Sequence, residues 1–359
     1  MKRVMIISNS SFGIAAFRKE LLSALAGDYE VYVLTGDTGR ADEIPETGCN
    51  LTLIDVDRRG TNPVRDFGLL LKYLKYIKRI KPDIVLTYTI KPNVYGGLAC
   101  RLTGTPYAAN VTGLGTAFEG TGILRKIATV LNRIALRKAK VVFFENSDNR
   151  ELFTRERIVD ESRTHVLHGA GVNLDRFYCQ PYPDNEELRF LFVGRVMKEK
   201  GVDELLESMR RLVADGFKCS LDILGHYEEN YESILNKATQ EGWLRYHGSQ
   251  PDVRSYIAAC DCFVLPSYHE GMANTNLECA SSGRPIITSD IPGCREAVTD
   301  GSGFLCEPKN PKSLCNAMKK MIELSREERE QMGKAGRAHM ENVFDRRKVV
   351  SETIRVLFG

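Results

Sequence analysis

Nowhere does this chain of 359 residues approach the ~18 consecutive apolar residues of a membrane-spanning helix, so no segment is expected to cross a bilayer. Its amino terminus, MKRVMIISNSSFG, starts basic but offers only four apolar residues in a row. That is too short for the apolar region of a secretory signal and reads instead as a first strand. Low-complexity tracts and short repeats are absent, and no histidine precedes His165. Neither H-x-x-x-H nor any carboxylate cluster with metal-ligand spacing occurs, so no metal site is expected. The ten cysteines fall at irregular intervals, several of them (Cys100, Cys219, Cys262) inside apolar runs. Only Cys260 and Cys262 are close, and C-x-C without a second pair is a poor zinc signature. They read as reduced thiols of a cytoplasmic protein.

What is present is ordinary in bulk and uneven in detail. Hydrophobic content of 43% and charged content of 27% suit a soluble globular chain, and the length suits two domains. Residues 1–165 carry 25 Lys/Arg against 18 Asp/Glu, whereas 166–359 carry 25 against 29. The excess is concentrated at 51–140, with 16 cations against five carboxylates. A basic first half suits an anion-rich partner: anionic lipid, nucleic acid or phosphorylated substrate.

Along the chain, short apolar strands alternate with amphipathic segments. Strands are expected at 4–8, 29–35, 51–56, 84–88, 107–111, 141–145 and 164–167, with helices such as 64–80 and 123–137 between them. A second series follows at 188–193, 220–224, 244–247, 262–265, 285–289 and 303–306, ending in three helical segments. Continuous apolar strands alternating with helices imply parallel sheets covered on both faces. The expected fold is α/β, two Rossmann-like domains facing each other across a cleft. An amino-terminal domain is expected at 1–167, a hinge at 168–183 and a second domain at 184–342. A last helix at 343–359 would pack back on the first domain. Ligands of such sheets sit beyond the carboxyl ends of the strands.

Two places on the second sheet could do chemistry. In LPSYHEGMANTNLE (265–278) a strand feeds a helix through a polar loop that carries Glu270, with Glu278 eight positions later. A strand-to-helix turn of this kind gathers backbone N–H groups and the positive end of a helix dipole, which suits phosphate. The alternative for Glu278 is structural, because Thr275-Asn276-Leu277-Glu278 fits a capping box. Earlier, Val193-Gly194-Arg195 ends one strand and Lys200-Gly201 opens the helix after it. Two fixed cations there would stabilise the charge on a departing diphosphate without a metal. The alternative is a solvated charged loop, since Lys198, Glu199 and Lys200 are a mixed run.

VGRVMKEKG and, about seventy residues on, SYHEGMANTNLECASSGRPIITSDIPGCREAV together resemble the nucleotide-sugar domain of the fourth family of retaining GT-B glycosyltransferases. The E-x7-E pair is that family's hallmark, and HGAGVNLDRF and GFLCEPKNPKSL are similar to it as well. The resemblance implies that Arg195 and Lys200 hold the donor diphosphate and that Glu270, the third catalytic candidate, faces the donor sugar. By the same resemblance Glu278 bonds the ribose. Gly271, Met272, Ala273 and Asn274 would present backbone amides, with Thr275 beside them, and Gly194 and Gly225 would line the crevice. His247, Gly248 and Gln250 would border the base pocket. By resemblance the donor would be a nucleotide diphosphate sugar, with uridine the nucleoside favoured, and no cofactor is implied. Asp55-Val56-Asp57 is the one D-x-D of the manganese-binding kind and, at a first-domain strand end, reads as coincidence.

In the first domain TYTIKPNVYGGLA (87–99) and ANVTGLGTAFE (109–119) resemble a narrower branch, bacterial enzymes that extend polyprenyl-diphosphate-linked sugars for surface polysaccharides or glycoprotein glycans. Where many members of the family carry a cleft histidine, this chain has Thr112, which can hydrogen-bond a donor hydroxyl but cannot be a general base. The loop ending at Gly13 has one glycine where relatives often have two. Arg58, Arg59 and Lys91, on loops at strand ends, are acceptor-diphosphate candidates or ordinary surface charges. Helix 123–137 aligns Ile123, Ile127, Val130, Leu131 and Ile134 on one face, and 121–140 holds six cations and no acid. Helix 64–80 alternates Leu70, Leu71, Leu74 and Ile77 with Lys72, Lys75, Lys78 and Arg79. Such helices either cover the sheet or lie in an anionic membrane surface. The expectation is a retaining, metal-independent transferase on the inner face of the membrane, acting on a polyprenyl-linked glycan, with no nucleic-acid partner. Other readings are a nucleotide-sugar epimerase of the same fold and a non-catalytic assembly subunit.

Overall fold

A computed structural model describes residues 1–57, 60, 62–114 and 122–359. The chain divides into two compact units, Met1–Ala170 with Arg346–Gly359, and Gly171–Asp345.

The first unit is built on seven parallel strands: β1 Arg3–Ile7, β2 Glu30–Thr35, β3 Asn50–Leu53, β4 Ile84–Tyr88, β5 Tyr107–Val111, β6 Val142–Phe144 and β7 Thr164–Val166. Their order in the sheet is β3-β2-β1-β4-β5-β6-β7, so the direction of winding reverses between β1 and β4. The helices are α1 Ser11–Phe17, α2 Lys19–Asp28, α3 Pro63–Ile80, α4 Gly97–Thr103, α5 Ile123–Leu136 and α6 Ser147–Arg155. β4 and β5 are buried along their whole length, as strands covered on both faces must be. One core layer gathers Leu21, Leu22 and Leu25 of α2 against alternate strand residues, and the other gathers Leu69, Tyr73 and Ile77 of α3 with Leu136 of α5.

The second unit has six parallel strands: β8 Leu188–Val193, β9 Cys219–Leu224, β10 Leu244–Tyr246, β11 Cys262–Leu265, β12 Ile286–Ser289 and β13 Gly303–Cys306. Their order is β10-β9-β8-β11-β12-β13, with the reversal between β8 and β11. Its helices are α7 Val202–Ala214, α8 Glu232–Gln240, α9 Arg254–Ala259, α10 Asn274–Ser281, α11 Pro311–Glu323 and α12 Arg326–Val343. Arg284 lies wholly inside this unit, and its guanidinium donates to the carbonyls of Ile257 (2.9 Å), Ala258 (2.8 Å) and Pro181 (2.8 Å). A buried cation is tolerated because its donors are spent, and it staples the incoming chain to α9.

The final helix, α13 Arg346–Phe358, belongs to the first unit. Val349 and Leu357 enter the core layer under α2, and the Phe358 ring stacks on Tyr29 at 4.5 Å. Arg346 Nη1 reaches Glu20 Oε2 at 3.0 Å, and Lys140 Nζ donates to the Leu357 carbonyl at 2.7 Å.

The two basic helices differ in which face they bury. In α3, Leu70, Leu74 and Ile77 pack on the sheet, while Val64, Phe67 and Leu71 of its first half point outward. In α5 the inward contacts come from Ala128, Asn132, Ala135 and Leu136, and the apolar row Ile127, Val130, Ile134 is about half exposed. The row expected either to cover the sheet or to lie outward therefore lies outward.

Candidate functional site: the switch point of the second sheet

The carboxyl ends of β8 and β11 are neighbours because β11 pairs with β8, and β9 flanks β8 on its other side. At this reversal of winding the loops diverge and leave room for a ligand. Gly194, Arg195 and Lys200 follow β8, Gly225 follows β9, and the loop 266–273 follows β11. The topology thus brings together side chains as far apart in sequence as Lys200 and Glu270.

Bare backbone lets these loops touch. At Gly225 (φ +141°) a Cβ would lie 1.8 Å from the Gly194 carbonyl oxygen, and at Gly201 (φ +72°) it would lie 2.1 Å from that of Pro266. No side chain fits either place, so only glycine serves. The Gly225 N–H donates to the Gly248 carbonyl at 2.9 Å, and the Tyr246 hydroxyl donates to the Gly225 carbonyl at 2.8 Å.

Lys200 Nζ donates to Glu270 Oε1, and Ser267 Oγ donates to the same oxygen at 2.8 Å. Both members of this ion pair are mostly shielded, with side chains 16% and 13% exposed. The Arg195 guanidinium is more open and stands 3.7 Å from Glu228 Oε2, which His226 Nε2 also approaches at 3.4 Å. Each cation is therefore paired with a carboxylate of its own unit. Charge-assisted bonds of this kind are worth most where water is partly excluded.

The helix behind Glu270 begins at Asn274. Its N-cap is Ala273, and no side chain caps it. Thr275 and Glu278 are the second and fifth helical residues, so the capping box read from Thr275-Asn276-Leu277-Glu278 does not form. The motif needs its Ser or Thr at the N-cap. Ala273 and Met272 are buried, the Ala273 N–H donates to the Gly293 carbonyl at 2.7 Å, and Asn274 Oδ1 is buried with no partner among the described residues. An uncapped helix start with an orphaned amide oxygen beside it leaves donors and an acceptor for a ligand to meet.

On the base side, His247 is not free to read a ligand. Its Nε2 lies 2.6 Å from Asp222 Oδ1, and its ring meets Tyr256 edge-on at 4.8 Å. Burial works against the Asp222 charge. The hydrogen bonds from Arg245 (2.9 and 3.1 Å) and His247 outweigh it and hold the carboxyl below its ordinary range. Gln250 Nε2 closes the turn on the His247 carbonyl at 2.6 Å. The side chains of His247 and Gln250 are therefore spent inside their own unit.

The acceptor-side candidates fare differently. Gly13 is inside α1, and its N–H donates to Ser10 Oγ, the helix cap, at 3.1 Å, so the expected open loop is a capped helix start. Lys91 is neither a surface charge nor a free cation. It pairs with Asp66 of α3 at 2.7 Å, and Tyr95 donates to the other Asp66 oxygen at 2.9 Å. Thr112 follows β5 and is half-buried. Arg58 and Arg59 lie outside the described residues. Among the described residues no group of three or more His, Cys, Asp or Glu side chains is placed to hold a metal ion, and no helix is long and apolar enough to cross a membrane.

Sequence reasoning missed Ser267, Glu228 and Asp222. Ser267 was legible in principle, a hydroxyl three residues before a loop carboxylate. Glu228 needs the loop after β9 to be laid beside Arg195, as it is by the bridge between Val196 and Tyr227.

Residues 180–339 match the family described as glycosyl transferases group 1, and residues 5–146 match the family described as glycosyl transferase 4-like. The chain is 26% identical over 341 residues to the N,N'-diacetylbacillosaminyl-diphospho-undecaprenol alpha-1,3-N-acetylgalactosaminyltransferase of Campylobacter jejuni, covering 89% of each chain. It is 28% identical over 343 residues to the UDP-Gal:alpha-D-GlcNAc-diphosphoundecaprenol alpha-1,3-galactosyltransferase of Escherichia coli, covering 87% of this chain and 81% of that one. Among solved structures, a glycosyltransferase from Rickettsia africae superposes with a TM-score of 0.79 at 17% identity, over 100% of this chain and 99% of the other. Anabaena HepE in complex with UDP-glucose gives 0.81 at 15% identity over 99% of both. The chain belongs to the GT-B glycosyltransferases, with a group 1 glycosyltransferase domain behind a glycosyltransferase 4-like domain.

Proposed function

We propose that this glycosyltransferase moves a hexose or N-acetylhexosamine from a nucleotide diphosphate sugar, in the first instance a UDP-sugar, to a polyprenyl-diphosphate-linked glycan. Transfer proceeds with retention at the anomeric carbon and without a metal ion. The observation that carries the reading is the Lys200–Glu270 pair, held by Ser267 beside Arg195 and at the uncapped start of α10. The acceptor class is supported by the Campylobacter and Escherichia relatives, whose names specify undecaprenyl-diphosphate-linked acceptors.

The donor diphosphate replaces Glu270 on Lys200 and Glu228 on Arg195, and the amides at the start of α10 receive its remaining oxygens. Freed from Lys200, Glu270 stays tethered by Ser267 and faces the sugar, where it stabilises positive charge growing at the anomeric carbon. Glu278, one turn into α10, takes the ribose hydroxyls. The anomeric C–O bond to the diphosphate breaks. The acceptor hydroxyl attacks from the same face, and its proton passes to the departing phosphate oxygen. No protein nucleophile and no imidazole is needed, which agrees with Thr112 following β5. Lys200 and Arg195 supply the charge stabilisation that a divalent metal gives in other transferases.

The outward rows Val64, Phe67, Leu71 of α3 and Ile127, Val130, Ile134 of α5, each flanked by Lys and Arg, seat the first unit on an anionic membrane surface, the inner face of the cell membrane. The test is a screen of UDP-sugars against short-chain polyprenyl-diphosphate glycans, reading released nucleotide, product mass and anomeric configuration, with and without chelator. An α-linked product formed equally well in chelator supports the reading. Epimerised donor without transfer, or an inverted linkage, overturns it.

A further inference from the structure

We infer that the first unit carries a second anion site, distinct from its sugar-transfer edge, which binds the phosphate headgroup of an anionic phospholipid. This rests on the membrane reading above and gives it one specific contact.

An open cavity of about 1120 Å³ lies among the carboxyl-terminal ends of α5 and α6 and the segment 157–163. These helices run back to the starts of β6 and β7, so the cavity is at the amino edge of the sheet. Thr112 is at the opposite edge, beyond the end of β5. Six arginines line it, Arg101, Arg133, Arg137, Arg155, Arg157 and Arg163, against the three carboxylates Glu151, Asp160 and Glu161.

Arginines gather at helix carboxyl ends simply to meet the last carbonyls, and three of the six do this. Arg133 donates to the carbonyls of Glu156 (2.7 Å) and Arg157 (3.0 Å), Arg163 to that of Arg137 (2.7 Å), and Arg101 to that of Ile134. These three form a fixed frame, and within it the Arg101 Nε is shut off from solvent with no partner among the described residues. The other three, Arg137, Arg155 and Arg157, are exposed, and their guanidinium groups make no hydrogen bond or ion pair with a described residue. Arg157 stands at φ +52°, just past the end of α6, where glycine would be the relaxed choice.

Planar donor forks lining one cavity suit a phosphate ester. The apolar row on α5 specifies the rest of the ligand. Ile134 is the last member of the exposed row Ile127, Val130, Ile134 and also lines the cavity. A molecule with its phosphate among the arginines would therefore lay its apolar part along α5, which is the chemistry of a phospholipid. The helix is about 20 Å long at 1.5 Å per residue, so a headgroup bound at its far end fixes the orientation of the end nearest Thr112.

The experiment is sedimentation of the full-length protein with vesicles whose equal negative charge comes either from phosphatidylglycerol or from oleate. Three proteins are compared: wild type, the cavity variant Arg137→Gln/Arg155→Gln/Arg157→Gly, and a control variant Lys75→Gln/Lys78→Gln/Arg79→Gln on α3. Glycine at 157 suits the left-handed backbone, so the cavity variant is expected to fold, which circular dichroism and transfer to a soluble short-chain acceptor check. Wild type should prefer phosphatidylglycerol by about tenfold, and the cavity variant should lose that preference and bind about a hundredfold more weakly. The control should keep the preference. Equal binding of wild type to both vesicles, or equal loss in both variants, overturns the headgroup site and leaves the membrane reading standing. Wild type that binds neither vesicle yet transfers sugar to the soluble acceptor overturns both.

Discussion

The switch points of the two sheets share a topology and differ in what their polar groups are doing. In the first unit, the helix after β1 is capped by Ser10, and Lys91 after β4 is spent on Asp66. In the second, the helix after β11 has no side-chain cap, Asn274 Oδ1 has no partner among the described residues, and Lys200 and Arg195 face Glu270 and Glu228. The fold supplies the position in both units, and on the function proposed above it is the uncapped helix start of the second that receives the anion.

Substitutions should separate the two. The largest effect is expected from Lys200→Ala or Glu270→Gln, each lowering the transfer rate about 10²- to 10³-fold, as loss of one preorganised charge contact usually does, with some loss of thermal stability from the shielded partner left unpaired. Near-wild-type turnover in both would remove the second switch point from the chemistry. Next is Gly225→Ala, whose added carbon must displace the Gly194 backbone. A loss of about 2 kcal/mol or more in denaturant unfolding is expected, together with weaker nucleotide binding. An alanine variant as stable as wild type would mean that the loops after β8 and β9 do not need this close approach.

A smaller effect concerns pH. Asp222 has its folded value held below the ordinary 3.8, so its contribution is present above that value and is lost as pH falls through the lower folded value. Asp222→Asn should flatten that part of the acid-unfolding curve, and an unchanged curve would count against the Arg245 and His247 bonds. Smallest is Ser10→Ala in the first unit, expected to cost about 1 kcal/mol of stability through the lost cap and to leave donor affinity alone. Weakened donor binding in that variant would erase the contrast between the two switch points.

Much of this was legible in the sequence because strands buried on both faces declare themselves as apolar runs, and because Gly194, Arg195, Lys200 and Glu270 stand at strand ends. Three things were not. Periodicity told that Ile127, Val130 and Ile134 share a face of α5 but not that the face points outward, since small residues and Asn132 suffice for the inward contact. The capping box at Thr275 was a chance match, because the helix start is set by the Ala273–Gly293 backbone bond. Lys91 looked exposed because its partner, Asp66, lies a helix away and is reached only when α3 folds over β4.

The most direct measurement is titration calorimetry of UDP into wild type and into Arg195→Ala/Lys200→Ala. If the second switch point holds the diphosphate through these two cations, the double variant should bind UDP at least about a hundredfold more weakly, at the usual worth of two charge-assisted contacts, while keeping the wild-type circular dichroism spectrum. Equal affinity in the two proteins would contradict the account.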